Sequence, residues 1–343
     1  MVGRWTALLM AVALTGCAAP YIQPPLTPPA GFAGPRIEEP VRAGSPGVFV
    51  VQDGARLPFL RWGPESEHHV PEQPWAVLVA VHGMNDHNAS FRLAGPWWAE
   101  RGIVTYAFDQ RGFGQAPGRG VWAGEPSMSE DLRTVTALVR ARYPNAVLAV
   151  VGESMGGSVA ASAFGSDRPP DADRVVLLAP GVWGWSSQGP VNGVGLWVAA
   201  HALGDLALEP PAFAVRDIVA SDNHLELVRN GRDPESILAT RFDTLFGLVD
   251  LMEVASRRLG LIRAPTLLMY GADDEVVRKP AMRRALQRAG SPANLRTAWY
   301  PDGHHLLNRD LGAETVYRDV EAYLRDASAP LPSGAEPVLP KLK

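Results

Sequence analysis

Short apolar runs alternate with helical repeats of apolar residues through the middle of the chain. Continuous apolar runs are typical of strands buried on both faces of a sheet, and they predict strands at residues 75–81, 103–108, 147–151, 175–179, 266–270 and 295–300. Apolar positions at helical spacing predict helices at residues 91–101, 129–143, 154–164, 278–288 and 313–325. This alternation predicts an α/β fold, with a mostly parallel, twisted sheet and helices on both faces.

Two stretches depart from the alternation. Residues 48–51 and 57–62 predict an antiparallel pair of strands ahead of the parallel part of the sheet. Residues 180–260, the inserted segment, contain no clear strand but several predicted helices and many aromatic side chains. We interpret the inserted segment as a helical lid that follows a core strand.

Proline is concentrated at both ends of the chain, outside a predicted domain at residues 47–326. Residues 17–46 cannot form a helix with this proline content, so they predict a semi-rigid tether that would reach roughly 90 Å at about 3.1 Å per residue. An ordered arm packed along the domain is the alternative. Residues 327–343 are also rich in proline and predict a disordered tail.

The first residues have the form of a secretory signal peptide, predicted at residues 1–16. Arg4 is followed by an apolar run at residues 7–14, which is too short to span a bilayer. The sequence Leu14-Thr15-Gly16-Cys17 resembles the bacterial lipobox, and this implies cleavage before Cys17 and a lipid on its sulfur that anchors the protein to a membrane. A signal peptide without lipidation is the alternative. Because Ala18 follows Cys17, bacterial sorting rules favour the outer membrane of the cell envelope, facing the periplasm.

Composition and charge narrow the choice of function. The chain has 343 residues, of which 46% are hydrophobic and 20% charged, and this suits a large apolar core. Its net charge is -4 and it has no basic stripe, so nucleic acid is not expected as a partner. A single cysteine excludes an internal disulfide, and the adjacent pair His304-His305 has no further ligands at metal spacing, so we expect no metal.

A candidate nucleophile lies between a predicted strand and a predicted helix. Gly152-Glu153-Ser154-Met155-Gly156 fits the pattern G-x-S-x-G, which requires that context. Small residues on both sides of the serine permit a strained turn, and the turn exposes the serine oxygen at the carboxyl end of the sheet, where ligands of such sheets bind. We therefore predict Ser154 as the nucleophile.

Serine needs a base to accept its proton, and the loop after the last predicted strand supplies one. His305 lies in this loop and is the predicted base, with the adjacent His304 as its rival. His87, in the loop after residues 75–81, is the remaining candidate near the site.

An acid must orient that histidine, and the loop after residues 266–270 contains Asp273 and Asp274. The order Ser, Asp, His along the chain is that of α/β hydrolases. The alternative is that both aspartates cap the helix predicted at residues 278–288.

These motifs, together with His82-Gly83-Met84-Asn85 and residues 109–114, resemble the monoacylglycerol lipase and lysophospholipase branch of the α/β-hydrolase fold. This branch is related to serine aminopeptidases, and the resemblance covers about residues 47–326. It implies that Asp274, which precedes one residue and then two branched apolar residues, is the acid rather than Asp273. It also implies an oxyanion hole made by the backbone N–H groups of Met84 and Met155.

The resemblance further implies an enzyme without a cofactor that cleaves carboxylic esters beneath a helical cap. We therefore expect a serine hydrolase whose small-molecule substrate is a monoacylglycerol or a lysophospholipid. The acyl chain would contact Trp183, Trp185 and Trp197 of the inserted segment. An amidase, aminopeptidase or thioesterase with the same residues is one alternative, and a non-catalytic envelope lipoprotein with a vestigial site is another. The sequence leaves the oligomeric state open.

Overall fold

The computed structural model describes residues 18–40, 46–63, 73–210 and 218–342. Cys17 and the predicted signal peptide lie outside the described residues. None of the helices within the described ranges combines the length and the apolar character that crossing a bilayer requires.

A nine-stranded sheet forms the centre of the protein. The strands of the described residues are β1 (Arg36–Glu38), β2 (Gly47–Val50), β3 (Arg56–Trp62), β4 (Ala76–Val81), β5 (Ile103–Phe108), β6 (Val147–Glu153), β7 (Arg174–Leu178), β8 (Ala207–Leu208), β9 (Thr240–Arg241), β10 (Thr266–Gly271) and β11 (Leu295–Tyr300). The spatial order of the large sheet is β1-β2-β3-β5-β4-β6-β7-β10-β11. The strands from β5 to β11 in this order are parallel, whereas β1, β2 and β3 pair antiparallel.

Helices cover both faces of this sheet. The helices of the described residues, including those of the inserted segment, are α1 (Ala94–Ala99), α2 (Glu125–Arg142), α3 (Met155–Phe164), α4 (Pro190–Ala202), α5 (His224–Arg232), α6 (Phe242–Arg258), α7 (Lys279–Ala289) and α8 (Ala313–Arg325). Strand β4 shows why two layers are needed, because side chains alternate between the two faces of a strand. Val77, Val79 and Val81 pack with α2, α3, α6 and α7, while the side chains between them pack with α1 and α8.

The predicted fold class is confirmed, and the predicted core strands are found within two residues of their expected ends. Helix α2 begins four residues earlier than predicted, because Pro126 fits the first turn of a helix, where no N–H is needed. The helix predicted at residues 91–101 is divided into a 3₁₀ turn, Asn88–Phe91, and the short helix α1.

The N-terminal arm, residues 18–40, packs on the domain, so the ordered-arm alternative describes it, and the semi-rigid tether predicted at residues 17–46 is wrong for these residues. Its short strand β1 extends the sheet beside β2. The N–H of Gln23 donates to the carbonyl of Trp122 at 2.9 Å, and the N–H of Leu26 donates to Asp53 Oδ2 at 2.8 Å. Proline leaves few donors in this arm, and the domain accepts hydrogen bonds from these two. The prediction overlooked such partners because they lie far away in the sequence.

The C-terminal tail (residues 327–342) is also ordered, contrary to the predicted disorder of residues 327–343. It runs along β11, the last strand of the sheet. The N–H of Trp299 donates to the carbonyl of Glu336 at 2.8 Å, and the side chains of Val338 and Leu342 are buried. The tail thus satisfies donors of an edge strand and adds apolar contacts to the core.

In the described part of the inserted segment, residues 180–210 and 218–260, the main elements are helices α4, α5 and α6, and there is also a small antiparallel pair, β8 and β9. The role of the segment as a lid remains a prediction. Helix α6 packs directly against α3. Several apolar side chains of α4 are exposed, namely Val191, Val194, Trp197 and Val198. The segment is therefore joined firmly to the core through α6 and presents an apolar surface to solvent on α4.

The ordered tail gives a direct test of stability. Replacing Val338 by Ala removes buried apolar volume, so we expect the free energy of unfolding to fall by about 2 kcal/mol. Val191→Ala is the matched control, because Val191 is 82% exposed. Urea denaturation of both variants measures the difference. Equal stability of the two variants would show that the tail does not pack as described.

Candidate active site

Ser154 lies at the tight turn between β6 and α3. Its backbone has φ 51° and ψ −116°, a combination that costs energy for a residue with a Cβ atom. The turn is held because the Ser154 N–H donates to the Leu178 carbonyl at 2.9 Å. A side chain at Gly156 would overlap the Val81 carbonyl, and one at Gly152 would overlap the backbone of Gly156. The two glycines therefore let helix and strands approach closely enough to form the turn.

The structure brings the predicted nucleophile, base and acid together. His305 Nε2 lies 2.9 Å from Ser154 Oγ, and His305 Nδ1 lies 3.0 Å from Asp274 Oδ2. A carboxylate oxygen can only accept, so Nδ1 carries the proton and Nε2 is free to accept from the serine hydroxyl. The other oxygen of Asp274 accepts hydrogen bonds from the N–H groups of Val276 and Val277, at 2.9 Å and 2.8 Å. The side chain of Asp274 is thus fixed from both sides.

The neighbouring alternatives lie elsewhere. Asp273 is exposed. The closest approach of His304 to a carboxylate is 3.8 Å, from its Nδ1 to Asp310. His87 lies between two acids of the inserted segment, with Nε2 3.2 Å from Asp233 and Nδ1 3.1 Å from Glu235. The geometry therefore selects His305 and Asp274 as the partners of Ser154.

Burial and neighbouring charges shift the pKa of the His305 imidazole in opposite directions. Its burial favours the neutral form and lowers the pKa. The Asp274 carboxylate, and more weakly Glu153, outweigh this effect, so the pKa of His305 lies above its usual value. An imidazole with a raised pKa accepts a proton readily, and the nearby carboxylates stabilise it once it is charged.

His82 has a different role. Burial lowers its pKa to about 4, so the ring is neutral. Its Nδ1 donates to the Gly83 carbonyl at 2.7 Å, and its Nε2 accepts from the N–H of Gln110 at 3.0 Å. His82 therefore holds the loop after β4 in place.

That loop passes beside the nucleophile. A Cβ atom placed on Gly83 would lie 3.3 Å from the Ser154 Cβ, so the backbone leading to Met84 is close to the serine. Among the described residues, neither the Met84 N–H nor the Met155 N–H donates to another protein atom. Asn85, with φ 61°, accepts a hydrogen bond from the N–H of Ile237 at 2.9 Å, so the inserted segment supports the loop. Two free donors beside Ser154 are what an oxyanion hole requires, and this role remains a prediction.

The three tryptophans predicted to contact substrate make contacts within the inserted segment. The Trp185 ring packs against Phe246, with ring centroids 5.0 Å apart. Trp197 stacks on His201 at 4.1 Å, and the indole N–H of Trp183 donates to the Ser187 carbonyl at 3.2 Å. Their contact with an acyl chain remains a prediction.

Among the described residues, one group of side chains has ligand atoms close enough together to hold a metal ion. Ligand atoms of Asp222, His304 and Asp310 lie within 4.8 Å of one another. Asp310 already accepts from the Ser221 hydroxyl at 2.6 Å, and Asp222 accepts from the N–H of Leu311 at 2.8 Å. These hydrogen bonds join the histidine loop to the inserted segment. They explain why Asp222, His304 and Asp310 lie close together without a metal ion.

Arg309 is a residue of the site region that was not predicted. It lies in the same loop as His305 and is buried with two acids, Asp86 and Glu153. The available signal was Glu153, a carboxylate at the end of an otherwise apolar strand. A charge at such a position needs a buried partner.

The strain at Ser154 gives a test that is independent of activity. Ser154→Gly removes the Cβ atom that makes this backbone conformation costly, whereas Ser154→Ala keeps it. We expect the glycine variant to be more stable than the alanine variant by about 1 kcal/mol, because relief of strain exceeds the entropic cost of glycine. Denaturant unfolding of both variants measures this. A glycine variant less stable than the alanine variant would show that the turn is not strained.

Comparison with known proteins agrees with this fold. A model of the serine aminopeptidase S33 family matches residues 72–312. A monoacylglycerol lipase of Mycolicibacterium smegmatis is 25% identical over 288 residues, covering 80% of this chain and 95% of the relative.

Two solved structures share the fold. The monoacylglycerol lipase of Paleococcus ferrophilus has a TM-score of 0.62 at 20% identity, covering 79% of this chain and 99% of that one. A soluble variant of the monoglyceride lipase of Saccharomyces cerevisiae, in complex with a substrate analog, has a TM-score of 0.65 at 17% identity, covering 91% and 99%. Because the family model spans well over half of the chain, this hydrolase belongs to the serine aminopeptidase S33 family.

Proposed function

We propose that the protein hydrolyses carboxylic esters of the monoacylglycerol or lysophospholipid type, with Ser154 as nucleophile, His305 as base and Asp274 as acid. The observation that carries this proposal is the continuous hydrogen-bonded path from Ser154 Oγ through the imidazole to Asp274. A serine hydroxyl becomes an effective nucleophile when a positioned base removes its proton in this way.

The proposed reaction has two halves. Ser154 Oγ attacks the acyl carbonyl while His305 takes the hydroxyl proton, and the carbonyl oxygen becomes an oxyanion facing the N–H groups of Met84 and Met155. The ester bond then breaks, the alcohol leaves with the proton from His305, and an acyl group stays on Ser154. Water, deprotonated by His305, attacks this acyl group, and the acid departs as the Ser154 hydroxyl regains its proton. Asp274 stabilises the imidazolium in both halves.

Support for a lipid ester comes from the inserted segment and from the relatives. The apolar side chains exposed on α4, such as Val191 and Val194, suit contact with an acyl chain or a lipid surface. The curated relative from Mycolicibacterium smegmatis is named a monoacylglycerol lipase. Both features point to an ester with one long apolar part.

The family description supports a second candidate, cleavage of an amide by the same residues. A thioester is a further possibility with the same chemistry. Parallel rates on an acyl ester, the matching acyl amide and the matching thioester separate the three. A faster rate on the amide would replace the ester proposal.

We also propose that the protein is lipid-anchored through Cys17 in the bacterial envelope, at the outer membrane. The N-terminal arm supports a short connection to the membrane, since it contacts the domain from Ile22 and Gln23 onwards. A Cβ atom on Gly124 would lie 3.0 Å from Ile22, and Thr244 of α6 donates to the Gly120 carbonyl at 3.1 Å. The part of the arm around Ile22 therefore lies beside a loop that contacts the inserted segment.

The nucleophile is tested by Ser154→Ala. We expect turnover of p-nitrophenyl esters and monoacylglycerol to fall by roughly 10⁴-fold or more, with loss of labelling by a fluorophosphonate probe. Ser166→Ala, just beyond the far end of α3, is the control and should keep full activity. Undiminished turnover in Ser154→Ala would exclude this site. Failure of the wild type to react with the probe would favour the vestigial-site alternative.

The base is tested by the pH profile. His305 must be neutral to accept a proton, so kcat/KM should fall as the pH drops through its raised pKa. Asp274→Asn removes the charge that raises this pKa. The acid limb should therefore move to lower pH, and kcat should fall by roughly 10⁴-fold. An unchanged acid limb in this variant would show that Asp274 does not act on the base.

The anchor is tested by Cys17→Ser in a bacterial host. We expect the wild-type protein to fractionate with membranes and to incorporate labelled fatty acid, and the variant to do neither. Equal labelling of both would exclude Cys17 as the lipidated residue.

A further inference from the structure

A buried cluster of charged side chains, separate from the Ser154–His305–Asp274 group, lies next to the nucleophile. Arg309 is 1% exposed, and its two terminal nitrogens bind different acids: Nη1 lies 2.7 Å from Asp86 Oδ2, and Nη2 lies 2.8 Å from Glu153 Oε2. The side chain of Glu153 is fully buried as well. Nothing in the proposed reaction requires this cluster, which must therefore be explained separately.

The three residues come from three of the four chain segments that form the site. Glu153 directly precedes the nucleophile, Asp86 comes two residues after Met84 of the proposed oxyanion hole, and Arg309 comes four residues after His305. One guanidinium therefore joins the nucleophile turn, the oxyanion loop and the histidine loop. A planar fork of donors can bind two carboxylates in fixed directions, which a single ammonium group cannot do.

Stability alone does not account for such a cluster. Buried ion pairs often contribute no more than well-packed apolar side chains would, because the charges must be removed from water. Burial raises the pKa of Glu153 to about 6, an effect that Arg309 offsets only in part. For Asp86, burial also raises the pKa, but Arg309 and His82 outweigh it and the pKa lies below its usual value. The cluster keeps a costly charge next to the nucleophile, and this suggests a role in the site.

The cluster also acts electrostatically on the base. The groups that act on His305 are Asp274, from the loop after β10, Glu153, from the end of β6, and Arg309, from its own loop. Glu153 favours the charged imidazole, and Arg309 opposes it. The groups that lie near the guanidinium besides its two acids are His82, Arg92 and Tyr317.

We propose that Arg309 is a positioning residue, which holds the three loops in register through its ion pairs with Glu153 and Asp86 so that Ser154, His305 and the oxyanion donors stay aligned. This inference rests on the proposed hydrolase function. Arg309 itself does not touch the reacting atoms, so its effect is on the rate of acyl transfer and not on substrate affinity.

Two conservative variants test the proposal. Arg309→Lys keeps the charge but cannot span both acids, and we expect kcat to fall on the order of 10-fold to 100-fold with KM little changed, because small displacements of aligned groups have effects of this size. Glu153→Gln keeps the shape of the side chain and removes its charge. It should lower kcat and move the acid limb of the pH profile to lower pH, since a negative charge near His305 is lost.

Rates are expressed per active site titrated with the fluorophosphonate probe, so that misfolded protein is not counted. Arg318→Lys is the matched control, because Arg318 forms an exposed ion pair with Glu314 at 2.6 Å. We expect this variant to match the wild type. Should Arg309→Lys fail to fold, Glu153→Gln carries the test by itself.

The outcomes are distinct. Wild-type kcat in the Arg309 and Glu153 variants, or an unmoved acid limb in Glu153→Gln, would overturn the proposal while leaving the hydrolase function intact. A wild-type protein that neither reacts with the probe nor turns over ester would remove the hydrolase function and this inference together.

Discussion

The approach of α3 to the ends of β4 and β6 is the constraint on which the site depends. The helix can begin directly behind Ser154 only because Gly152 and Gly156 have no side chains to keep the backbones apart. The strained backbone conformation of Ser154 costs free energy. The packing of the surrounding sheet, whose strands are buried on both faces, offsets this cost. Every other part of the site is placed relative to this fixed point, since the loops after β4, β10 and β11 all reach it from neighbouring strand ends.

The parts of the protein that could be predicted from sequence are those with local signals. Strands buried on both faces produce apolar runs such as residues 76–81, and a nucleophile turn requires small residues at fixed positions around Ser154. The loop that carries His305 follows a strand of this kind. The choice between Asp273 and Asp274 needed the family pattern. The structure gives the physical reason, because the N–H groups of Val276 and Val277 bind one oxygen of Asp274 and leave the other directed at His305.

The parts that could not be predicted depend on partners distant in the chain. Proline content indicates an extended backbone, but it does not reveal whether a surface accepts the few remaining N–H groups, as Asp53 does for Leu26. The same limit applies to Arg309, whose acids lie more than 150 residues away in the sequence. Composition indicates which backbone conformation a segment favours. Whether the segment is ordered and buried depends on its neighbours in the folded protein.

The C-terminal tail has a consequence for the behaviour of the protein in concentrated solution. Strand β11 is the last of the sheet, and an uncovered last strand can recruit the same strand of another molecule. Residues around Glu336 occupy that position, so the tail covers part of the strand edge at which another copy could pair. Loss of this tail would open β11 to pairing between copies and would also remove the buried side chains of Val338 and Leu342 from the core.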